Sequence, residues 1–114
     1  MLEYTFNYTA RNGYVIVKLT GSIRSDDALD SFTEIITQLS DKVLLKKINV
    51  VFDFTGLKLI NSSGIGKMLV FNKFLLEKEC NLYLTGVSPA LRQLFKFARI
   101  DQLLKLYNSL DDIS

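Results

Sequence analysis

The chain has 114 residues, 48% of them apolar, and its 14 basic and 12 acidic side chains leave a formal charge of +2. That length suits a single domain over residues 1–114, burying roughly two-thirds of the surface an unfolded chain exposes. Histidine is absent and cysteine occurs once, which excludes an intrachain disulfide and argues against zinc sites and imidazole-based catalysis, so no metal or cofactor is expected.

The charges are interspersed, without the block of like charges that marks a nucleic-acid tail. No apolar run is long enough for a membrane span, and the first residues, with Glu3, Asn7 and Arg11, lack the basic-then-apolar order of a secretory signal. The expectation is a cytoplasmic domain with no membrane insertion and no direct nucleic-acid contact.

Tyr4, Phe6 and Tyr8 alternate with Thr5, Asn7 and Thr9, the period of a half-buried strand, and Arg11-Asn12-Gly13 supplies turn chemistry. A hairpin partner follows from Tyr14 to Leu19 and closes at Thr20-Gly21; its β-branched content places it nearer the middle of a sheet. Ser25 is a candidate N-cap, with Asp26 and Asp27 in the first turn, where carboxylates suit the helix dipole. Ala28, Leu29, Phe32, Ile35, Ile36 and Leu39 then make one apolar stripe on a helix of about four turns.

Ile48 to Phe54 reads as a third strand before Thr55-Gly56. After a connecting stretch from Thr55 to Asn61, the segment Ser63 to Glu79 carries Ile65, Met68, Leu69, Asn72, Leu75 and Leu76 at helical intervals. Cys80 precedes the short strand Leu82 to Leu84 and reads as a small buried residue. Ser88-Pro89 combines an N-cap with proline at the first helical position, opening a third helix that runs to about Ala98. Leu103 to Tyr107 is a candidate fifth strand, and Ser109 with Asp112 resembles a helix opening. A hairpin followed by alternating helices and strands gives an α/β fold with a mixed sheet of four to five strands.

The order strand, loop, Asn61-Ser62-Ser63-Gly64-Ile65-Gly66, helix places two hydroxyls where the first helical amides lack internal partners. Gly64 and Gly66 each cost about 1 kcal/mol relative to alanine inside a helix, so a close approach there is expected. An ordinary capped helix start accounts for the same residues, with Asn61 or Ser62 as the N-cap and the glycines packed against a strand.

The stretch Asp53-Phe54-Thr55-Gly56-Leu57-Lys58-Leu59-Ile60-Asn61-Ser62-Ser63-Gly64-Ile65-Gly66 resembles the central motif of STAS domains of the bacterial anti-sigma factor antagonist type. The likeness extends forward to Val87-Ser88-Pro89 and back to Thr20-Gly21-Ser22-Ile23, covering nearly the whole chain. It implies helices mainly on one face of the sheet, no enzyme activity, and phosphorylation of Ser62 by a partner that is both an anti-sigma factor and a serine-protein kinase. In the implied switch for transcription regulation, the unphosphorylated form binds the partner, phosphorylation releases it, and a phosphatase is a further implied partner. The implied partner surface comprises Ser22, Ile23, Arg24, Lys58, Asn61, Ser62, Ser63, Gly64, Ile65 and Lys67. Asn61 stands where the family usually has aspartate, and Arg24 where an acidic residue is common. Asn61, together with an expected patch at Phe71 and Phe74, favours as an alternative a non-phosphorylated adaptor subunit of a transporter or sensory complex.

Three further features admit bland readings. Phe71 and Phe74 fall by helical spacing opposite Ile65, Leu69, Asn72 and Leu76, and an exposed aromatic pair there would anchor a partner or a homodimer. Arg92, Lys96 and Arg99 read as a solvated stripe. Asp53 is expected to support the turn by accepting hydrogen bonds rather than to act as a base. A phosphate-binding loop of the form Gly-x-x-x-x-Gly-Lys-Ser/Thr is absent, and Gly64-x-Gly66 lacks the rest of a dinucleotide fingerprint.

Overall fold

The computed structural model describes residues 2–9 and 13–113, with the side chains of residues 4–9 left out of the description. The chain runs β1 (Leu2–Thr9), β2 (Tyr14–Ile23), α1 (Asp26–Leu45), β3 (Asn49–Ile60), α2 (Ser62–Glu77), β4 (Leu82–Thr85), α3 (Pro89–Phe97) and β5 (Lys105–Tyr107). A single 3-10 turn, Leu110–Asp112, follows. The five strands lie in the order β1-β2-β3-β4-β5, antiparallel between β1 and β2 and parallel elsewhere. The N-terminal hairpin is therefore present, from Leu2 opposite Gly21 to Thr9 opposite Tyr14. The expected alternation of Tyr4, Phe6 and Tyr8 and the turn residues Arg11 and Asn12 lie outside the described residues.

The three parallel crossovers step the same way across the sheet, so right-handed connections put α1, α2 and α3 on one face. Strand parity agrees. Val15, Val17 and Leu19 of β2, Val50, Phe52 and Phe54 of β3, and Leu82 and Leu84 of β4 are all buried in the main core. Phe52 is its hub, with ring centroids 5.8 Å from Phe32 of α1 and 6.0 Å from Phe71 of α2. On the opposite, helix-free face, Tyr83 packs edge-on to Tyr14 at 6.0 Å and to Tyr107 at 5.7 Å.

Two expectations about strand ends are corrected. β2 does not stop at Leu19, nor β3 at Phe54: both continue to Ile23 and Ile60 and stay paired through Thr20–Gly56, Gly21–Leu57 and Ser22–Leu59. Thr-Gly pairs that read as turn signals are instead absorbed as register shifts between Lys18 and Thr20 and between Gly21 and Ser22. α1 is also longer than expected, at 20 residues.

The rotation of α2 is a third correction. Its buried face is Gly64, Met68, Phe71, Asn72 and Leu75, so Phe71 is 1% exposed rather than part of a surface aromatic pair. Leu76, expected inside, is exposed, as is Val70. Apolar residues occur all round this helix, and its fit to the sheet decides which of them are covered. Asn72 is buried with its Nδ2 donating to the Leu103 carbonyl at 3.2 Å, which ties α2 to the segment before β5. Cys80 is buried as expected.

Candidate functional site

The site is assembled where two parallel strands end together. Ile23 at the end of β2 pairs with Ile60 at the end of β3, and the Ile23 carbonyl accepts a hydrogen bond from the Asn61 amide at 2.8 Å. The long, shifted β2–β3 pairing thus brings Ser22 and Arg24 beside the segment Lys58–Ser63, which are far apart in sequence.

Asn61 is the N-cap of α2. Its backbone is extended, and its side-chain Oδ1 accepts from the Gly64 amide at 2.8 Å, satisfying one of the donors that a helix start leaves unpaired. Ser62 is therefore the first helical residue, and its side chain, like that of Ser63, is exposed. A helix N-terminus carries roughly half a positive charge, which favours an anionic group held there.

Gly64 supplies the close approach that the sequence leads one to expect. A Cβ built on it would lie 2.8 Å from Ile60 Cγ1 and 3.1 Å from Ile23 Cγ2, so only glycine lets the first turn of α2 settle onto the strand ends. Gly66 is different, because nothing lies within 4 Å of its Cβ position. It faces a groove between α1 and α2.

Of the ten residues expected at the partner surface, Arg24, Lys58, Ser62, Ser63 and Lys67 are exposed, and Ser22, Asn61 and Ile65 are partly so. Ile23 and Gly64 are buried. These two shape the surface from beneath and offer it no side chain, because their contact with each other is what seats the helix. Arg24, Lys58 and Lys67 give a basic rim. Among the described residues the ion pair within 4.0 Å is Lys47–Glu79, at 2.6 Å and exposed, so none of the three rim cations has a carboxylate partner.

Asp53 behaves as a structural acceptor, as expected, with Oδ1 taking hydrogen bonds from the Thr55 amide at 2.9 Å and from its hydroxyl at 2.6 Å. The stripe on α3 is broken: Arg92 donates to Asn108 Oδ1 at 3.3 Å, and Arg99 lies past the end of the helix. Sequence reasoning missed the contribution of α1, whose Leu29, Thr33, Ile36 and Thr37 form the groove wall facing Ser63 and Lys67. Their spacing signals only a core stripe. Among the described residues no helix is long and apolar enough to cross a membrane.

Comparison with solved structures places this arrangement. SpoIIAA, an anti-sigma factor antagonist and a cell fate determinant of Bacillus, in its phosphorylated form is 19% identical, with 97% of this chain and 96% of that one covered at a TM-score of 0.71. An anti-sigma factor antagonist from Mycobacterium paratuberculosis is 18% identical, covering 98% and 90% at 0.76. A sulfate transporter family protein from Wolinella succinogenes is 17% identical, covering 87% and 80% at 0.68. At these identities the likeness establishes the fold. A search of curated protein sequences finds no significant match. The STAS domain profile matches residues 5–113, almost the full length, and the chain therefore belongs to the STAS domain family.

Proposed function

We propose that this STAS domain is a cytoplasmic anti-sigma factor antagonist, a protein-binding switch in transcription control that is set by phosphorylation of Ser62. The supporting observation is the placement of that residue: an exposed serine at the first position of α2, directly after a cap that leaves its hydroxyl out of the capping bond. A phosphate adds about −1.5 to −2 charges and three acceptor oxygens, which a helix N-terminus tolerates. Against a docked protein the same group has to be desolvated or given a new cation. Phosphorylation therefore acts on association and leaves the fold intact.

In this reading the unphosphorylated form docks on an anti-sigma factor with serine-kinase activity through Ser22, Arg24, Lys58, Asn61, Ser62, Ser63, Ile65 and Lys67, and a phosphatase resets it. The domain performs no chemistry of its own. Incubation with the cognate kinase and ATP, followed by intact-mass and fragment-mass measurement, should find one phosphate, on Ser62, and none on Ser62→Ala. Ser62→Asp should stay folded and lose the partner. A phosphate placed elsewhere, or wild-type binding by Ser62→Asp, would overturn the mechanism.

Asn61 supports a second reading, because it removes the negative charge that usually precedes the serine in antagonists this chain resembles. In that case the domain is a non-phosphorylated adaptor of a transporter or sensory complex; the Wolinella neighbour is by name a sulfate transporter family protein. Affinity capture that recovers transport subunits and no kinase would favour it.

A further inference from the structure

The open groove between α1 and α2 has a volume of about 750 Å3, within the range of small-molecule sites. Its walls are apolar: Leu29 and Ile36 from α1, and Val70, Phe71 and Phe74 from α2, with the two phenylalanine rings stacked 6.5 Å apart. Three hydroxyls of α1 also line it, but each is turned back on its own helix. Thr33 donates to the Leu29 carbonyl at 2.8 Å, Thr37 to Thr33 at 3.0 Å and Ser40 to Ile36 at 2.8 Å. With those protons committed, the α1 wall makes little demand for a polar ligand.

Polarity is concentrated at one end. Lys67 is the charged residue lining the groove, it has no carboxylate within 4.0 Å among the described residues, and it sits near Ser63 and the amino end of α2. The lysine and the helix terminus both favour a negative charge there. From Leu29 to Ser40 the α1 wall runs about 16 Å at helical rise, the span of a medium-length alkyl chain.

We propose that this groove binds a single-chain anionic amphiphile, a long-chain carboxylate, with its head group at Lys67 and Ser63 and its tail lying between α1 and α2 toward Phe74 and Ser40. The site is distinct from the hydroxyl of Ser62 and does not require its phosphorylation. Each methylene added to the chain, until the groove is filled, should raise affinity about fourfold.

The test is calorimetric titration of the intact protein with dodecanoate below its micelle concentration, with dodecanol and dodecyltrimethylammonium as probes of head-group charge, and amide NMR shifts to locate the site. Dodecanoate should bind saturably, one per chain, with shifts confined to the facing residues of α1 and α2. Lys67→Glu should weaken dodecanoate about tenfold and strengthen the cationic amphiphile. Ile36→Trp, checked for native thermal unfolding and shift dispersion, should fill the groove and abolish both. Absence of saturable binding, equal binding of all three probes unaffected by Lys67→Glu, or shifts on the opposite face of the sheet would overturn the proposal. So would concentration-dependent self-association mapping to these residues in the ligand-free protein, which would assign the groove to a second copy.

Discussion

Asn61 Oδ1 lies 2.8 Å from the Gly64 amide nitrogen, so the residue before the exposed serine, and not the serine, closes the start of α2. Removing that acceptor leaves a helix-start amide to water alone. Asn61→Ala should lower unfolding free energy by about 1 kcal/mol in urea denaturation. Asn61→Asp keeps the acceptor and adds a carboxylate at the positive end of the helix, so it should match or exceed the native protein by about 0.3–1 kcal/mol. Equal stability of all three proteins would show that the cap contributes nothing.

The two glycines of α2 should respond to alanine in opposite directions. At Gly64 the new methyl meets Ile60 at 2.8 Å inside the core, and the strain should cost about 1–3 kcal/mol. At Gly66 the methyl meets nothing within 4 Å, and the helix gains from the loss of glycine's backbone freedom, so the protein should be stabilised by up to about 1 kcal/mol. Thermal unfolding of the pair is the check, and a stabilised Gly64→Ala would contradict the packing described.

Local signals in the sequence were sufficient for the caps and the element order. Ser25, Ser88 and the proline after Ser88 all act as their chemistry predicts, with the cap hydroxyls accepting from Ala28 and Leu91 at 3.1 and 3.2 Å. Strand length was not legible at β2 and β3, because Thr20-Gly21 and Thr55-Gly56 carry turn chemistry and only cross-strand pairing reveals that the ladder continues through them. The rotation of α2 was ambiguous for a related reason. With Val70, Phe71, Phe74, Leu75 and Leu76 spread around the helix, periodicity alone admits more than one buried face, and the contact of Phe71 with Phe52 selects it. The serine turn was legible as a motif, whereas its union with Ser22 and Arg24 depends on a parallel pairing that spacing does not encode.

Arg99 stands just past α3 with φ of 62°, a left-handed conformation that side chains with a Cβ adopt at a cost and glycine adopts freely. Its amide bonds to the Lys96 carbonyl at 3.0 Å, and that of Ile100 to Phe95 at 3.0 Å, the arrangement in which glycine commonly ends helices. Arg99→Gly should therefore raise stability by roughly 0.5–1 kcal/mol, measured by urea denaturation, and Arg99→Val should lower it.

Tyr83 lies between Tyr14 and Tyr107 on the helix-free face. Burial, reinforced by the neighbouring phenols of Tyr14 and Tyr107, holds its hydroxyl above the ordinary tyrosine value. The folded state thus keeps this proton more tightly than the unfolded chain does. The stability it contributes is fully present below the unfolded value of about 10 and is lost as pH climbs through the folded one. Ultraviolet titration should show one phenol ionising late, and stability measured across that alkaline window should fall less steeply in Tyr83→Phe than in the native protein. Should the substituted protein lose stability with the same slope, the ladder of three phenols would not be the source of the alkaline sensitivity.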